Sequence, residues 1–176
     1  MVSNPDFLIQ DRQEQGLESQ EVQSPAGELY LRFHITSGYE LALRAASIRE
    51  VLALSPDRIT PIPNTSSLLL GTINLRGQAV WVADLSQFLG HLEPLDTERS
   101  EIPVITVEDQ EVVVGLAVDQ IIGMGWLELD QIQPANHIPD NMAPFLKGGW
   151  LVNQVTNDWL HLLDPTTILR SARWAA

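Results

Sequence analysis

The sequence predicts an all-β protein made of two small barrels packed together, and three observations carry that expectation. Short runs such as Leu29-Tyr30-Leu31-Arg32-Phe33-His34-Ile35 alternate in apolar character with the two-residue period of a half-buried strand. Turn residues separate these runs at short intervals, without the strand–helix–strand rhythm of a parallel sheet. The pattern then occurs a second time along the chain. Strands this short suit barrels that close their own edges.

Composition narrows the function. The chain has 176 residues and a formal charge of −13, with 10 Lys and Arg against 23 Asp and Glu. Binding nucleic acid requires cationic side chains to neutralise phosphates, so DNA and RNA are excluded as partners, and anionic lipid is disfavoured on the same ground. There is no cysteine, which removes disulfides, thiolate ligands and thiol nucleophiles together. The start lacks a basic n-region and a long apolar run, and no apolar stretch reaches the ~20 residues of a membrane span, so the expected location is the cytoplasm.

Residues 1–27 are poor in apolar side chains and rich in Gln, Glu and Ser, which suggests a flexible tail with a transient helix around Asp6 to Gln15. Its Phe7-Leu8-Ile9 run is either a short partner-binding motif or part of a solubilising leader. The ordered domain is expected over 28–176. After the first strand, Ser37-Gly38 turns the chain and Tyr39 to Leu43 returns antiparallel. Ala45 to Leu54 reads as a short turn followed by a strand. Thr60-Pro61-Ile62-Pro63-Asn64 must be an extended connector, because proline lacks the amide donor and restricts its predecessor. Gly71 to Leu75 and Gln78 to Ala83 form a hairpin about Arg76-Gly77. Asp84-Leu85-Ser86-Gln87 is a capping box opening a short helix that Gly90 stops.

The second copy begins with a strand at Ile102 to Val107, a turn over Glu108 to Gln110 and a strand at Val112 to Val118. Ile121, Ile122 and Met124 take places like Ile48, Val51 and Leu52. Gly148 and Trp150 to Val152 match Gly71 and Ile73 to Leu75, and His161 to Pro165 match Trp81 to Leu85. Asp164-Pro165, a cap followed by proline in the first turn, opens a helix expected to run to about Ala172.

The segment Leu70-Gly71-Thr72-Ile73-Asn74-Leu75-Arg76-Gly77-Gln78-Ala79-Val80-Trp81-Val82-Ala83-Asp84-Leu85 resembles the signature of the CheW family, a glycine followed by an Asn-Leu-Arg-Gly turn, an apolar strand and Asp-Leu. Arg49-Glu50-Val51-Leu52, Ile62-Pro63-Asn64 and Val114-Gly115-Leu116-Ala117-Val118-Asp119 resemble further family segments in the right order. The chain departs from the pattern at Trp81, where a proline is common, and in Gln120-Ile121-Ile122-Gly123, which lacks an acidic residue. The resemblance implies two SH3-like five-stranded barrels around a shared core. It also implies a non-catalytic adaptor without cofactor. Its implied partners are the regulatory domain of a CheA-type histidine kinase and the cytoplasmic tip of a methyl-accepting receptor. The Gln-Ala-Val-Trp-Val-Ala-Asp-Leu version is similar to adaptors of pilus-linked motility or phototaxis.

By the same resemblance Ile48, Glu50, Leu52, Gly71, Asn74 and Arg76 surround the receptor contact. Arg76 is expected to pair with Glu50 through a guanidinium that can grip a carboxylate with two parallel bonds. Each residue has a plainer reading. Arg76 could face solvent, Ile48 and Leu52 could be core, Gly71 could serve close backbone approach, and Asn74 could support the turn. A paralogue that binds the kinase or builds arrays without touching a receptor is the alternative adaptor. A hydrolase built on Asp84 or Asp164 is a remote one. Against it, helix capping accounts for both carboxylates, and His34, His91, His137 and His161 show no metal-binding spacing.

Overall fold

The structure, a computed structural model, describes residues 27–175; the tail, its expected helix and the Phe7-Leu8-Ile9 run lie outside the described residues. Ten strands follow in order: β1 (Glu28–His34), β2 (Glu40–Arg44), β3 (Ile48–Leu54), β4 (Leu69–Leu75), β5 (Gln78–Asp84), β6 (Ile102–Asp109), β7 (Val112–Ala117), β8 (Gln120–Leu127), β9 (Leu146–Asn153) and β10 (Asp158–Leu163). Two short helices, α1 (Leu85–Phe88) and α2 (Pro165–Leu169), each follow the last strand of a repeat.

The strands form two five-stranded sheets, ordered β8-β1-β2-β10-β9 and β3-β6-β7-β5-β4. The sequence repeat runs β1–β5 and β6–β10, so neither sheet is one repeat. Each takes strands from both, and the duplicated unit is interleaved. We call the sheet containing β1 the first barrel and the sheet containing β6 the second. Closure is also less complete than expected. No ladder joins β3 to β4 or β8 to β9; single bridges, Thr60 to Thr72 and Gln133 to Gly149, draw each gap together.

Burial divides the apolar residues into three groups. Tyr30, Ala42, Trp150, Leu160 and Leu162 fill the first barrel, and Leu54, Ile73, Val80, Val82, Ile102 and Val104 fill the second. A third group lies between them, with Leu31, Phe33, Leu41 and Leu43 from one sheet facing Ile105, Val107, Val114 and Leu116 from the other. Phe88 of α1 seals this shared core, edge-on to Phe145 and stacked on Trp174. A fully buried ring of this kind contributes about 2–3 kcal/mol. Arg173 fastens the C-terminal turn over it by donating to the carbonyls of Phe88 and Asn141, each at 2.7 Å.

Several local expectations shift. Strand β6 continues to Asp109, so its turn sits at Gln110 and Glu111, both with positive φ. Helix α2 ends at Leu169, and the chain resumes as a 3-10 turn at Ala172–Ala175. The capping box at α1 is half formed: Asp84 Oδ1 accepts from the Gln87 amide at 3.2 Å, but the Asp84 amide already donates to the Leu68 carbonyl at 2.8 Å, so no cap N–H is left for Gln87 to reach back to.

The repeat register is also corrected. Met124 pairs with Leu31 as Val51 pairs with Ile105, and both ladders slip at a bulge beside Gly123 and Glu50. Ile122, Gly123, Met124, Gly125 and Trp126 therefore answer to Arg49, Glu50, Val51, Leu52 and Ala53. The alignment that matched Ile122 and Met124 with Val51 and Leu52 ignored the bulge.

Candidate functional site: the groove between two edge strands

Strands β3 and β4 are the two edges of the second barrel, and the gap between them is a groove of about 170 Å³. Leu52, Leu54, Ile73 and Leu75 line it, with Arg58 and Asn74 at its sides. The sequence builds this locally. In β3, Ile48, Glu50, Leu52 and Leu54 are the more buried residues, and Arg49, Val51 and Ala53 alternate with them at the surface. That alternation holds across the bulge because Thr106, fully buried on β6, holds both backbone groups of Glu50. Its hydroxyl accepts from the Glu50 amide at 2.9 Å and donates to the Glu50 carbonyl at 3.0 Å.

The hairpin joining β4 to β5 turns through two residues in left-handed conformation, Arg76 (φ 51°) and Gly77 (φ 84°), as a tight hairpin of this handedness requires. Asn74 Oδ1 accepts from the Gly77 amide at 2.8 Å and fixes the turn. This aims Arg76 back across the groove, where Nη2 donates to Glu50 Oε2 at 3.2 Å. The expected contact forms through one pair of atoms, not two. Arg76 is 76% exposed and Glu50 23%, so the pair contributes at most about 1 kcal/mol to stability and leaves guanidinium donors free.

Of the six residues singled out in the sequence, Glu50, Leu52, Asn74 and Arg76 come together here. Ile48 and Gly71 do not. Ile48 packs against the shared core between the barrels. Gly71 (φ 146°) is buried at the other end of β4, where an added Cβ would stand 2.2 Å from the Thr60 carbonyl oxygen. Close backbone approach is what fixes this glycine, because it lets Thr60 bridge to Thr72 and narrow the barrel gap. Asn74 does what its plainer reading gave it, supporting the turn, while its position also edges the groove.

The carboxylates that could suggest hydrolysis are occupied elsewhere. Asp84 is 1% exposed and bonded to two amides; burial, outweighing those bonds, raises its pKa. Asp164 caps α2 by accepting from the Thr166 amide at 3.1 Å. The small recess beside it is lined by Arg44, Ser47 and Lys147 and holds no second carboxylate or imidazole. Asp119 binds Arg99 at 3.1 Å.

Sequence reasoning missed three surface features. Histidines scattered along the chain converge: His34, His137 and His161 line one polar cavity of about 470 Å³ with Tyr39, Glu40, Asp158 and Trp159. Burial lowers the pKa of His161, which is 4% exposed. Among the described residues no group of three or more His, Asp or Glu is placed to hold a metal ion. At the equivalent place in the second barrel, Leu69, Trp81, Val112, Val114, Leu169 and Trp174 line an apolar groove of similar size. Ile122, Met124 and Trp126 form an exposed stripe on β8. The signal for the stripe was available: large residues alternating with Gly123 and Gly125 put the bulk on the outer face.

A family model described as the CheW-like domain matches residues 29–173. A probable chemotaxis protein CheW of Rhizobium etli is 30% identical over 103 residues, covering 58% of this chain and 64% of that protein. Protein PilI of Pseudomonas aeruginosa is 33% identical over 100 residues, covering 54% of this chain and 53% of that one. The matches thus span less than two thirds of these relatives. The crystal structure of the scaffolding protein TtCheW from Thermoanaerobacter tengcongensis superposes with a TM-score of 0.68 over 84% of this chain and 95% of that chain, at 20% identity. At that identity the agreement is one of fold. Among the described residues, no helix is long and apolar enough to cross a membrane.

Proposed function

Because the chain belongs to the CheW-like domain family, we propose that it is a non-catalytic cytoplasmic adaptor coupling methyl-accepting receptors to a CheA-type histidine kinase, with the groove between β3 and β4 as the receptor contact. The observation that carries this reading is the combination at the groove: an apolar floor of Leu52, Leu54, Ile73 and Leu75, closed at one end by the Arg76–Glu50 pair. A helical hairpin presenting apolar residues at its tip would seat them on that floor. The guanidinium donors that Glu50 leaves free would meet polar or acidic groups beside it.

An adaptor of this kind acts by geometry. The shared core between the barrels makes the domain a rigid spacer, so a receptor tip held at one face is fixed relative to a kinase held at another. A receptor shift then changes kinase activity only through a difference in how the two receptor states are bound. The similarity to both CheW and PilI proteins suits either chemotaxis or pilus-linked signalling.

The test is Arg76→Ala in a reconstituted mixture of adaptor, kinase and receptor-bearing membranes. Receptor-dependent kinase activity should fall at least several-fold while kinase binding persists, and melting should change by only a few degrees because an exposed pair is worth ~1 kcal/mol or less. Unchanged receptor coupling would remove the groove from the receptor contact. Kinase binding by the native protein without any receptor dependence would identify a kinase-binding or array-forming paralogue instead.

A further inference from the structure

In a chain with 10 Lys and Arg against 23 Asp and Glu, a cation without a carboxylate beside it is uncommon. Arg32, Arg44, Arg49, Arg99 and Arg170 each pair with a carboxylate of this chain, and Arg173 gives its donors to two backbone carbonyls. Arg58 differs. It is exposed, it lines the groove between β3 and β4 beside Leu54 and Ile73, and among the described residues no carboxylate pairs with it. It stands on a fixed base: Pro56–Arg58 is a 3-10 turn, the Arg58 amide donates to the Ser55 carbonyl at 2.9 Å, and the next residue, Ile59, is buried. Thr60, two residues on, bridges to Thr72, so Arg58 occupies the end of the groove opposite the Arg76–Glu50 pair. From Thr72 to Arg76 the chain advances ~13 Å at about 3.3 Å per residue. With both side chains at the groove, their guanidiniums stand roughly two turns of helix apart, ~11 Å.

Resting on the receptor contact proposed above, we propose that Arg58 is its second electrostatic anchor. Together with Arg76 it selects a helix whose carboxylates stand seven residues apart, with the apolar residues that fill the groove between them. Seven residues rise about 10.5 Å and complete nearly two turns, so positions i, i+3, i+4 and i+7 share one face. The apolar pair at i+3 and i+4 then meets the floor of Leu52, Leu54, Ile73 and Leu75 while a carboxylate reaches each end. Net charge sharpens the choice. At −13 the protein repels an acidic partner over most of its surface, and cations left unneutralised fix where such a partner lands and in which register. Arg76 gives one bond to Glu50 and keeps its other N–H groups, and Arg58 keeps its whole fork. A helix with Lys or Arg at i or i+7 would meet like charge at one end, so the same two residues also reject wrong partners.

The test uses the full chain and synthetic helical hairpins as probes. One hairpin presents Glu, Leu, Leu and Glu at i, i+3, i+4 and i+7 of one arm; two others carry Gln at i or at i+7. Arg58→Ala should bind the first hairpin roughly five-fold more weakly than the native protein, the scale of one ion pair at the edge of an interface. Arg58→Lys should stay within about two-fold. Gln at one of the two positions should weaken native binding by a similar factor and cause no further loss in Arg58→Ala; Gln at the other should behave so with Arg76→Ala. The native affinity should also fall more steeply with salt than that of Arg58→Ala, which a purely structural role would not produce. Losses that simply add, whichever Glu is replaced, would overturn the proposal. The receptor-bearing membranes and kinase then separate the two readings. If Arg58→Ala couples as the native protein does while Arg76→Ala does not, the second anchor falls and the receptor contact stands. If neither variant changes coupling, both fall.

Discussion

Gly71 and Gly148 hold the same place in the two barrels, each against a carbonyl oxygen, that of Thr60 at 2.2 Å and that of Gln133 at 2.5 Å from an added Cβ. Glu50 and Gly123 are equivalent too, yet one carries the charge that binds Arg76 while the other has no side chain at all. Arg76 itself answers to Asn153, which caps its own loop by accepting from the Val155 amide. Inside, Trp150 stands where the second barrel has Ile73, its Nε1 donating to the Glu128 carbonyl at 2.9 Å and its ring edge-on to Tyr30. The difference teaches which positions the barrel itself requires. Those that narrow the gap between edge strands are the same in both copies, and those that line the mouth of the gap have diverged, leaving a polar-ended groove in one barrel where the other has Gly123 and Gly125.

The strongest test of that division falls on the shared positions. Gly71→Ala adds a Cβ against backbone at a left-handed φ, so both overlap and strain apply, each about 1–3 kcal/mol. A loss on the order of 3 kcal/mol is expected in denaturant unfolding. Gly148→Ala should cost nearly as much, slightly less for its longer contact with Gln133 and because Ile132 side-chain atoms there can yield. If Gly71→Ala left stability intact and altered only receptor coupling, Gly71 would belong to the groove after all.

How much of this was legible in the sequence follows the same line. Strand positions, the Arg76-Gly77 hairpin and the two aspartate caps were readable because each depends on neighbours within a few residues. The interleaving of the repeats was not, since β3 pairs with β6 and β8 with β1 across long stretches of chain. The bulge in β3 depends on Thr106 of β6, 56 residues from the Glu50 it holds, and that in β8 on its pairing with β1, far from it in sequence. Gly71 and Ile48 were placed at the contact by resemblance, which shows where a residue sits along a strand but not which face it takes after a bulge. The convergence of His34, His137 and His161 was invisible for the same reason.

A second comparison separates two caps that look alike in sequence. Asp84 accepts from two amides, those of Gln87 and Leu95, and is fully buried; Asp164 accepts from Thr166 alone and is half-buried. Asp84→Ala should therefore cost about 2 kcal/mol and Asp164→Ala about 1 kcal/mol in the same unfolding assay. Equal losses would mean that the Leu95 bond contributes nothing. The Asp84 pKa is raised in the fold, so its titration favours the native state below the ordinary aspartate range. That contribution is lost as pH rises through the raised value.

The gentlest prediction contrasts His161 with its equivalent Trp81. His161 is buried beside Trp159 and Tyr39, its Nδ1 has no hydrogen-bond partner, and burial lowers its pKa. The unfolded chain then binds a proton more readily than the native one. Stability from this group is present above the ordinary imidazole value near 6.5 and is lost as pH falls through the depressed folded one. Trp81 gives the second barrel no such dependence. Native protein should lose stability between neutral pH and pH 5, and His161→Phe should flatten that slope, leaving the smaller part due to His91, whose pKa burial also lowers. An unchanged slope in His161→Phe would show that the imidazole cavity takes up protons without strain. The two barrels would then differ in their lining but not in their response to acid.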